Sequence, residues 1–341
     1  MTPGTDNRLP ERDDVAPAQL PALLDELGDD GVPVVIRGLA STWPAVMAAR
    51  DGAATVSRYL LGFDAGASQV AYTLPAAARG RVFYGDEPGR FNFEPVRIGL
   101  RQLLAQVDGT KDDVAAPTVY MGSTDIHRCL PGFMDANPLP LGEREALVNA
   151  WIGNRTVIAA HYDMPDNIAV VVAGRRRFTL FPPDQRDNLY IGPLDPTPSG
   201  QEISLVDFES PDFEAHPRFR EALHHARIAD LEPGDAIYIP GMWWHHVRSG
   251  AGLNMLVNAW WRTVPAWMGA PVDALKLALL NLRGLPAAQR RAWRDIFASH
   301  VFAEDDEAVA HLPPGWRGVL GDIDEQMARR LRAELLNRLK R

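Results

Sequence analysis

The chain has 341 residues, 46% hydrophobic and 23% charged, an ordinary globular composition that allows one large domain or two smaller ones. A net charge of −9 without a basic stripe argues against nucleic acid as the main partner, and a single cysteine, Cys129, excludes an internal disulfide and argues against a thiolate metal site. The polar start MTPGTDNRLPERDD has no apolar signal-peptide core, and no run approaches the ~18 apolar residues of a membrane span. The expectation is a soluble cytoplasmic protein.

Residues 1–14 read as a disordered leader. Leu20, Leu23, Leu24 and Leu27 recur at helical spacing up to Gly28, and Val34–Ile36 reads as a short buried strand. Ala54–Leu61 is a helix candidate, and Val70–Leu74 and Val82–Tyr84 are strand candidates. An amphipathic helix is expected over Val96–Val107, ended by Gly109, followed by a strand over Pro117–Met121 and a helix over Leu141–Ala150.

From Ala150 to Trp261 the character changes. Short β-branched and aromatic runs (Thr156–Ala160, Asn167–Val172, Phe178–Phe181, Ala236–Ile239, Leu253–Trp261) alternate with Gly, Pro and Asp. This pattern suits a sandwich or barrel better than βαβ units. Pro193–Glu214 is a long polar excursion, followed by a helix candidate at Arg218–Ala226. Beyond Trp261 three helical stretches are expected, Val272–Leu282, Pro286–Phe302 and the basic amphipathic Asp324–Leu339.

His161 and Asp163 lie two residues apart in what reads as a strand, so alternation would point both the same way. A histidine from WWHH would complete two imidazoles and one carboxylate, the donor set of non-haem Fe(II) oxygenases. His245 and His246 face opposite sides of a strand, so only one of them can join. Trp243, Trp260, Phe178 and Tyr162 are candidate walls of a dry pocket, and Tyr120 is a candidate hydrogen-bond donor. His224 and His225 read as surface, and Cys129 has no flanking base pattern.

Taken in order, HYD, AGRRRF-LFPP, LY-GPL-P, VDFESPDFE-HPRF, GDAIYIPGMWWHHV and VNAWW resemble the JmjC/cupin-like family. Within it the chain is similar to the asparaginyl hydroxylase of the hypoxia-inducible factor and to bacterial cupin-like proteins. The resemblance covers roughly residues 30–265. It implies a mainly β fold with helical additions, a double-stranded β-helix (jelly-roll) core at about 150–261 within a catalytic domain at 15–265, and a C-terminal helical region at 266–341 expected to serve homodimerisation in the family's manner. The implied activity is Fe(II)- and 2-oxoglutarate-dependent hydroxylation with O2. His161, Asp163 and His245 correspond to the metal ligands, Arg176 to the basic residue that anchors 2-oxoglutarate, and Asn167 and Asn258 to positions lining that cosubstrate. The substrate, a polypeptide or a small molecule, is expected near Phe83, Tyr84 and the 193–214 loop. A cupin-like metal-binding protein without turnover is the alternative. The chain departs from the asparaginyl hydroxylase at Ile158, where that enzyme has a threonine, and in the loop SGQEISL.

Overall fold

The structure, a computed structural model, describes residues 7–111, 113, 115–303 and 307–340. It divides at Thr263 into two compact units, Met1–Thr263 and Val264–Arg341.

The strands of the first unit are β1 (Glu11–Arg12), β2 (Val34–Ile36), β3 (Gln69–Leu74), β4 (Arg81–Val82), β5 (Glu94–Ile98), β6 (Thr118–Asp125), β7 (Ala146–Gly153), β8 (Val157–His161), β9 (Asp166–Ala173), β10 (Arg176–Phe181), β11 (Arg227–Leu231), β12 (Ala236–Ile239), β13 (Trp244–Ser249) and β14 (Asn254–Trp261). Nine make one sheet in the order β1-β2-β12-β9-β14-β7-β6-β3-β5, and five make a second in the order β11-β10-β13-β8-β4. Pairing is antiparallel except at β1–β2 and β4–β8. The fold is mainly β with helical additions, as expected.

Central strands of the large sheet are buried on both faces, which explains their nearly continuous apolar sequence. Ile168, Val170 and Val172 of β9 join a core with the helices, while Ala169 and Val171 face the other way and pack with Phe178, Leu180 and Val247 of the small sheet. On the helical side, Leu20, Leu24 and Leu27 bury one face of the helix Leu20–Asp30, which Gly31 ends in a left-handed conformation with its N–H on the Leu27 carbonyl. Leu100, Leu103, Leu104 and Val107 do the same for the helix Leu100–Gly109.

Three expectations are corrected. Leu141–Ala150 is not a helix: from Ala146 the chain is strand β7, hydrogen-bonded to β14 on one edge and β6 on the other, and this two-sided pairing overrides the helix-forming residues before it. Val96 and Ile98 belong to β5, paired with β3, so the helix starts only after Gly99. Residues 7–14 are not a loose leader, because Leu9 is buried and Glu11–Arg12 pairs with Val35–Ile36. Arg37 fastens this strap by ion pairs to Glu11 and, at 2.8 Å, Asp235. The rest of the expected leader, residues 1–6, lies outside the described residues. Among the elements that escaped the sequence reading are the helix Pro44–Arg50, the short helices Ile126–Cys129 and Phe133–Ala136, and the edge strand β11.

In the second unit the helices are Pro271–Leu282, Ala287–His300 and Glu325–Leu339, the last capped by the Asp324 carboxylate on the Met327 N–H at 2.7 Å. No residue of Pro271–Leu282 is buried, although Leu275, Leu279 and Leu280 are apolar. Among the described residues no helix is long and apolar enough to cross a membrane.

Gly80 holds β4 against β8: its carbonyl accepts from Val157 N–H at 2.8 Å, its φ is +78°, and a Cβ there would collide with the Arg155 carbonyl. Gly80→Ala is therefore expected to cost about 2–3 kcal/mol, read as a lower urea midpoint at unchanged slope; an unchanged midpoint would show that the β4–β8 contact yields freely.

Candidate metal centre and cavity

Strands β8 and β13 pair so that His161 stands opposite His245. The register then slips: Val247 faces Ile158, three residues before His161, while β13 has advanced only two. This extra residue in β8 is a bulge, and it lets Ile158 and His161 both face the space between the sheets, which strict alternation would forbid. His161 is the last residue of β8, and Asp163 lies beyond the strand in the following turn. Strand alternation is therefore not what aims Asp163.

The turn is held from the other side. Met242 N–H donates to the Asp163 carbonyl at 2.7 Å, and Asp166 accepts from Tyr238 Oη at 2.8 Å and from Gly241 N–H at 2.9 Å. A side chain at Gly241 would strike the Met164 carbonyl, so only glycine lets the two turns approach this closely.

His161, Asp163 and His245 each offer one ligand atom, and these atoms lie within 4.8 Å of one another. Asp163 Oδ2 is 3.6 Å from His245 Nε2, and the two imidazole centroids are 4.3 Å apart. Each Nδ1 sits on a carbonyl two residues back, His161 on Ala159 at 2.9 Å and His245 on Trp243 at 3.0 Å. A carbonyl only accepts, so each Nδ1 carries the proton and each Nε2 keeps its lone pair for a cation. Burial lowers the pKa of His245 to about 4, helped by the neighbouring His161 and opposed by Asp163. His246 points the other way, stacks on Phe208 at 4.6 Å, and is lowered to about 3 by burial and Arg81.

The three residues open on a cavity of about 610 Å³ between the sheets. At its far side lies Arg176, fully buried, with Nε lacking any partner and NH2 on the Trp151 carbonyl at 3.3 Å. No ion-pair partner for it exists among the described residues, and burial pulls its pKa down to about 10. A buried guanidinium without an anion costs several kcal/mol, so the position suits an incoming carboxylate. Beside it Trp151 Nε1 donates to Asn258 Oδ1 at 2.6 Å, and Asn258 Nδ2 donates to Asn167 Oδ1 at 3.1 Å. Tyr120 stacks on Trp151, and burial raises its phenol pKa so that it stays a donor.

Of the residues singled out in the sequence, His161, Asp163, His245, Arg176, Asn167, Asn258, Tyr120, Phe178 and Trp260 all line this cavity. Trp243 does not: its indole donates to the Gly31 carbonyl at 3.0 Å. Tyr162 packs edge-on against Trp244 in a separate cluster. Tyr84 is also outside the lining, its hydroxyl on the Pro193 carbonyl at 3.5 Å. Phe83 lies under Arg81, 3.6 Å from guanidinium carbon to ring centroid. In place of Trp243 and Tyr162, expected as walls, and of Tyr84, expected near the substrate, Tyr72, Phe91 and Phe93 line the cavity. The i, i+2 spacing of Phe91 and Phe93 was the available signal for a shared face. Glu202 turns its carboxylate away to Arg186 at 2.9 Å, while Ser199 and Gly200 reach the cavity.

A larger cleft, about 1230 Å³, is lined by several arginines and shares Arg176 with the smaller cavity. Three of its other arginines are held in ion pairs, Arg175–Glu232, Arg177–Asp230 and Arg248–Glu209, each at 2.7 Å. The smaller cavity carries the site.

Comparison with known proteins agrees with this geometry. Residues 21–266 match the family described as Cupin-like domain. The chain is 33% identical over 173 residues to the lysine-specific demethylase JMJ31 of Arabidopsis thaliana, covering 50% of this chain and 29% of that protein. It is 29% identical over 183 residues to Jumonji C domain-containing protein 5 of Drosophila melanogaster, covering 52% and 39%. It is also 36% identical over 106 residues to tRNA wybutosine-synthesizing protein 5 of Gallus gallus, covering 31% and 30%. The chain thus spans less than half the length of each of these relatives.

The two depressed histidines make the metal-free protein acid-sensitive. Their folded pKa values lie below the unfolded value near 6.5, so the unfolded chain binds more protons as pH falls. Stability is full above about pH 6.5 and is lost down through pH 4 and then 3. Denaturant titration after chelation should show a loss of about 2 kcal/mol per histidine between pH 7 and pH 5, and His246→Leu should remove about half of the slope. A flat profile would mean that neither imidazole is held neutral by the fold.

Proposed function

The chain belongs to the cupin-like domain family, and on that premise we propose that it is an Fe(II)- and 2-oxoglutarate-dependent dioxygenase hydroxylating an unactivated C–H, with a polypeptide side chain as the leading substrate. The observation that carries this reading is one cavity holding both a two-histidine, one-carboxylate cluster and a buried guanidinium without an anion.

The residues fit the implied groups by their chemistry. Two neutral imidazoles and a carboxylate suit a ferrous ion and leave coordination positions open. Held there, Fe(II) would supply the chemistry by which O2, the oxidant, places one oxygen atom on the C–H carbon and the other in succinate as 2-oxoglutarate loses CO2. The protein's work is positioning. His161 and His245 are pinned in one tautomer by the Ala159 and Trp243 carbonyls, and Asp163 offsets part of the cation's charge. Arg176 receives the far carboxylate of 2-oxoglutarate and recovers the counter-charge its burial denies it. Asn258 and Asn167, joined to Trp151, fix the polar side of the pocket. Ile158 leaves the wall beside the cosubstrate apolar and helps exclude water. A homodimer formed through the exposed apolar face of Pro271–Leu282, acting in the cytoplasm, completes the reading.

The decisive experiment is succinate formation from 2-oxoglutarate with added Fe(II), alone and with candidate peptides, alongside binding of Mn(II) as a redox-silent metal. Asp163→Ala and His245→Ala are expected to lower Mn(II) affinity at least 100-fold, and His246→Ala by less than threefold. Reversal of the two histidines would mean that His246 is the ligand. Arg176→Leu should weaken 2-oxoglutarate binding about 100-fold, with Arg176→Lys recovering part of it. Wild-type protein that binds neither Mn(II) nor 2-oxoglutarate would sink the proposal.

A further inference from the structure

The part of the cavity left to a substrate has a definite electrostatic character. Among the described residues lining it, only Asp163 and Arg176 carry a fixed charge. Asp163 is committed to the metal cluster, and Arg176 is positive. The outer wall comes from β3 and β5 and the turn before β5, through Val70, Tyr72, Phe91, Phe93 and Pro95. Opposite, the loop contributes Thr197, Pro198, Ser199 and Gly200, all uncharged, while the nearby Glu202 is closed off by Arg186.

The aromatic rings on this wall pack on one another. Phe91 and Phe93 stack with centroids 5.2 Å apart and planes 4° from parallel, and Tyr72 lies 4.6 Å from Phe93. An aromatic cage for an ammonium needs rings arranged around an empty space, each offering a free face. Here Phe91 and Phe93 turn one face each to the other and Tyr72 leans on Phe93, so these three rings form a packed apolar wall and do not surround an empty space. A cation entering this space would be desolvated without a free carboxylate to receive it, since Asp163 faces the metal cluster and Arg176 pairs with the cosubstrate.

We infer that the substrate group this cavity accepts is an uncharged, largely apolar side chain, and that ammonium, methylammonium and guanidinium groups are rejected. This rests on the oxygenase reading above for the site's role, while the preference for neutral ligands belongs to the cavity wall itself. The wall therefore sets substrate class through the cost of burying charge, independently of which partner delivers the side chain.

The test uses the full chain loaded anaerobically with Mn(II) and 2-oxoglutarate, and three probes of matched length: hexan-1-ol, hexylammonium and hexyltrimethylammonium. Calorimetric or ligand-observed NMR titration should give the alcohol at least tenfold tighter binding than either ammonium. Phe91→Glu, which adds a carboxylate to the wall, should narrow that ratio at least tenfold, whereas Phe91→Gln should not. An ammonium binding as tightly as the alcohol, or no binding by any probe, would overturn the inference. Failure of 2-oxoglutarate or Mn(II) to bind would instead count against the oxygenase reading, and the probe ratio measured on metal-free Asp163→Asn, whose cavity has no unclaimed carboxylate, would still decide the preference of the wall. Should Phe91→Glu fail to fold, the wild-type ratio alone settles the matter.

Discussion

The pairing of β8 with β13 is the constraint on which the rest of the site depends. It sets His161 opposite His245, and its single bulge turns both Ile158 and His161 inward. A bulge beside a functional site re-aims side chains that regular pleating would send outward. The third donor, Asp163, is then fixed by the junction of two turns, through Met242 N–H and the double acceptor Asp166. The position of Asp163 thus rests on hydrogen bonds that join parts of the chain some 75 residues apart.

Much of this was legible in the sequence. Strands β2 and β12 match their apolar runs to the residue, because short buried strands bounded by Gly and Pro leave little ambiguity. Motif order also singled out His161, Asp163 and His245, whose ligand atoms the fold brings within 4.8 Å of one another. The reason given for that grouping held only in part, since Asp163 lies outside the strand that was supposed to aim it. A one-residue bulge leaves no mark in a hydrophobic pattern, so no periodicity argument could have found it. The β7 segment failed for a related cause: its neighbours on both edges, β6 and β14, are decided by tertiary pairing rather than by its own residues. The wall residues were misjudged where bulk was taken for position. Trp243 and Tyr84 are large and near the motifs, yet they pack outside the cavity.

Arg176 shows how a fold can hold a destabilising choice. Burying a guanidinium without a counter-ion lowers its pKa to about 10 and leaves Nε without a partner. Its neighbours on the same strand behave differently: Arg177 faces outward and forms a bidentate pair with Asp230 at 2.7 and 2.8 Å. Three consecutive arginines therefore divide by strand alternation into surface ion pairs and one interior cation. The interior one is costly to bury without a counter-ion, a cost that an anion bound beside it would offset.

The N-terminal strap has a consequence of another kind. Within a few residues it bridges to Ile228 at the border of the small sheet through Arg8, and runs beside β2 at the border of the large one through Glu11 and Arg12. Open borders are where β-proteins recruit copies of themselves and aggregate. One short peptide closes both, and it ends the large sheet on a two-residue strand bearing a carboxylate and a guanidinium, a poor template for any further strand. The segment that looked most dispensable thus keeps two hydrogen-bonding edges from meeting another molecule.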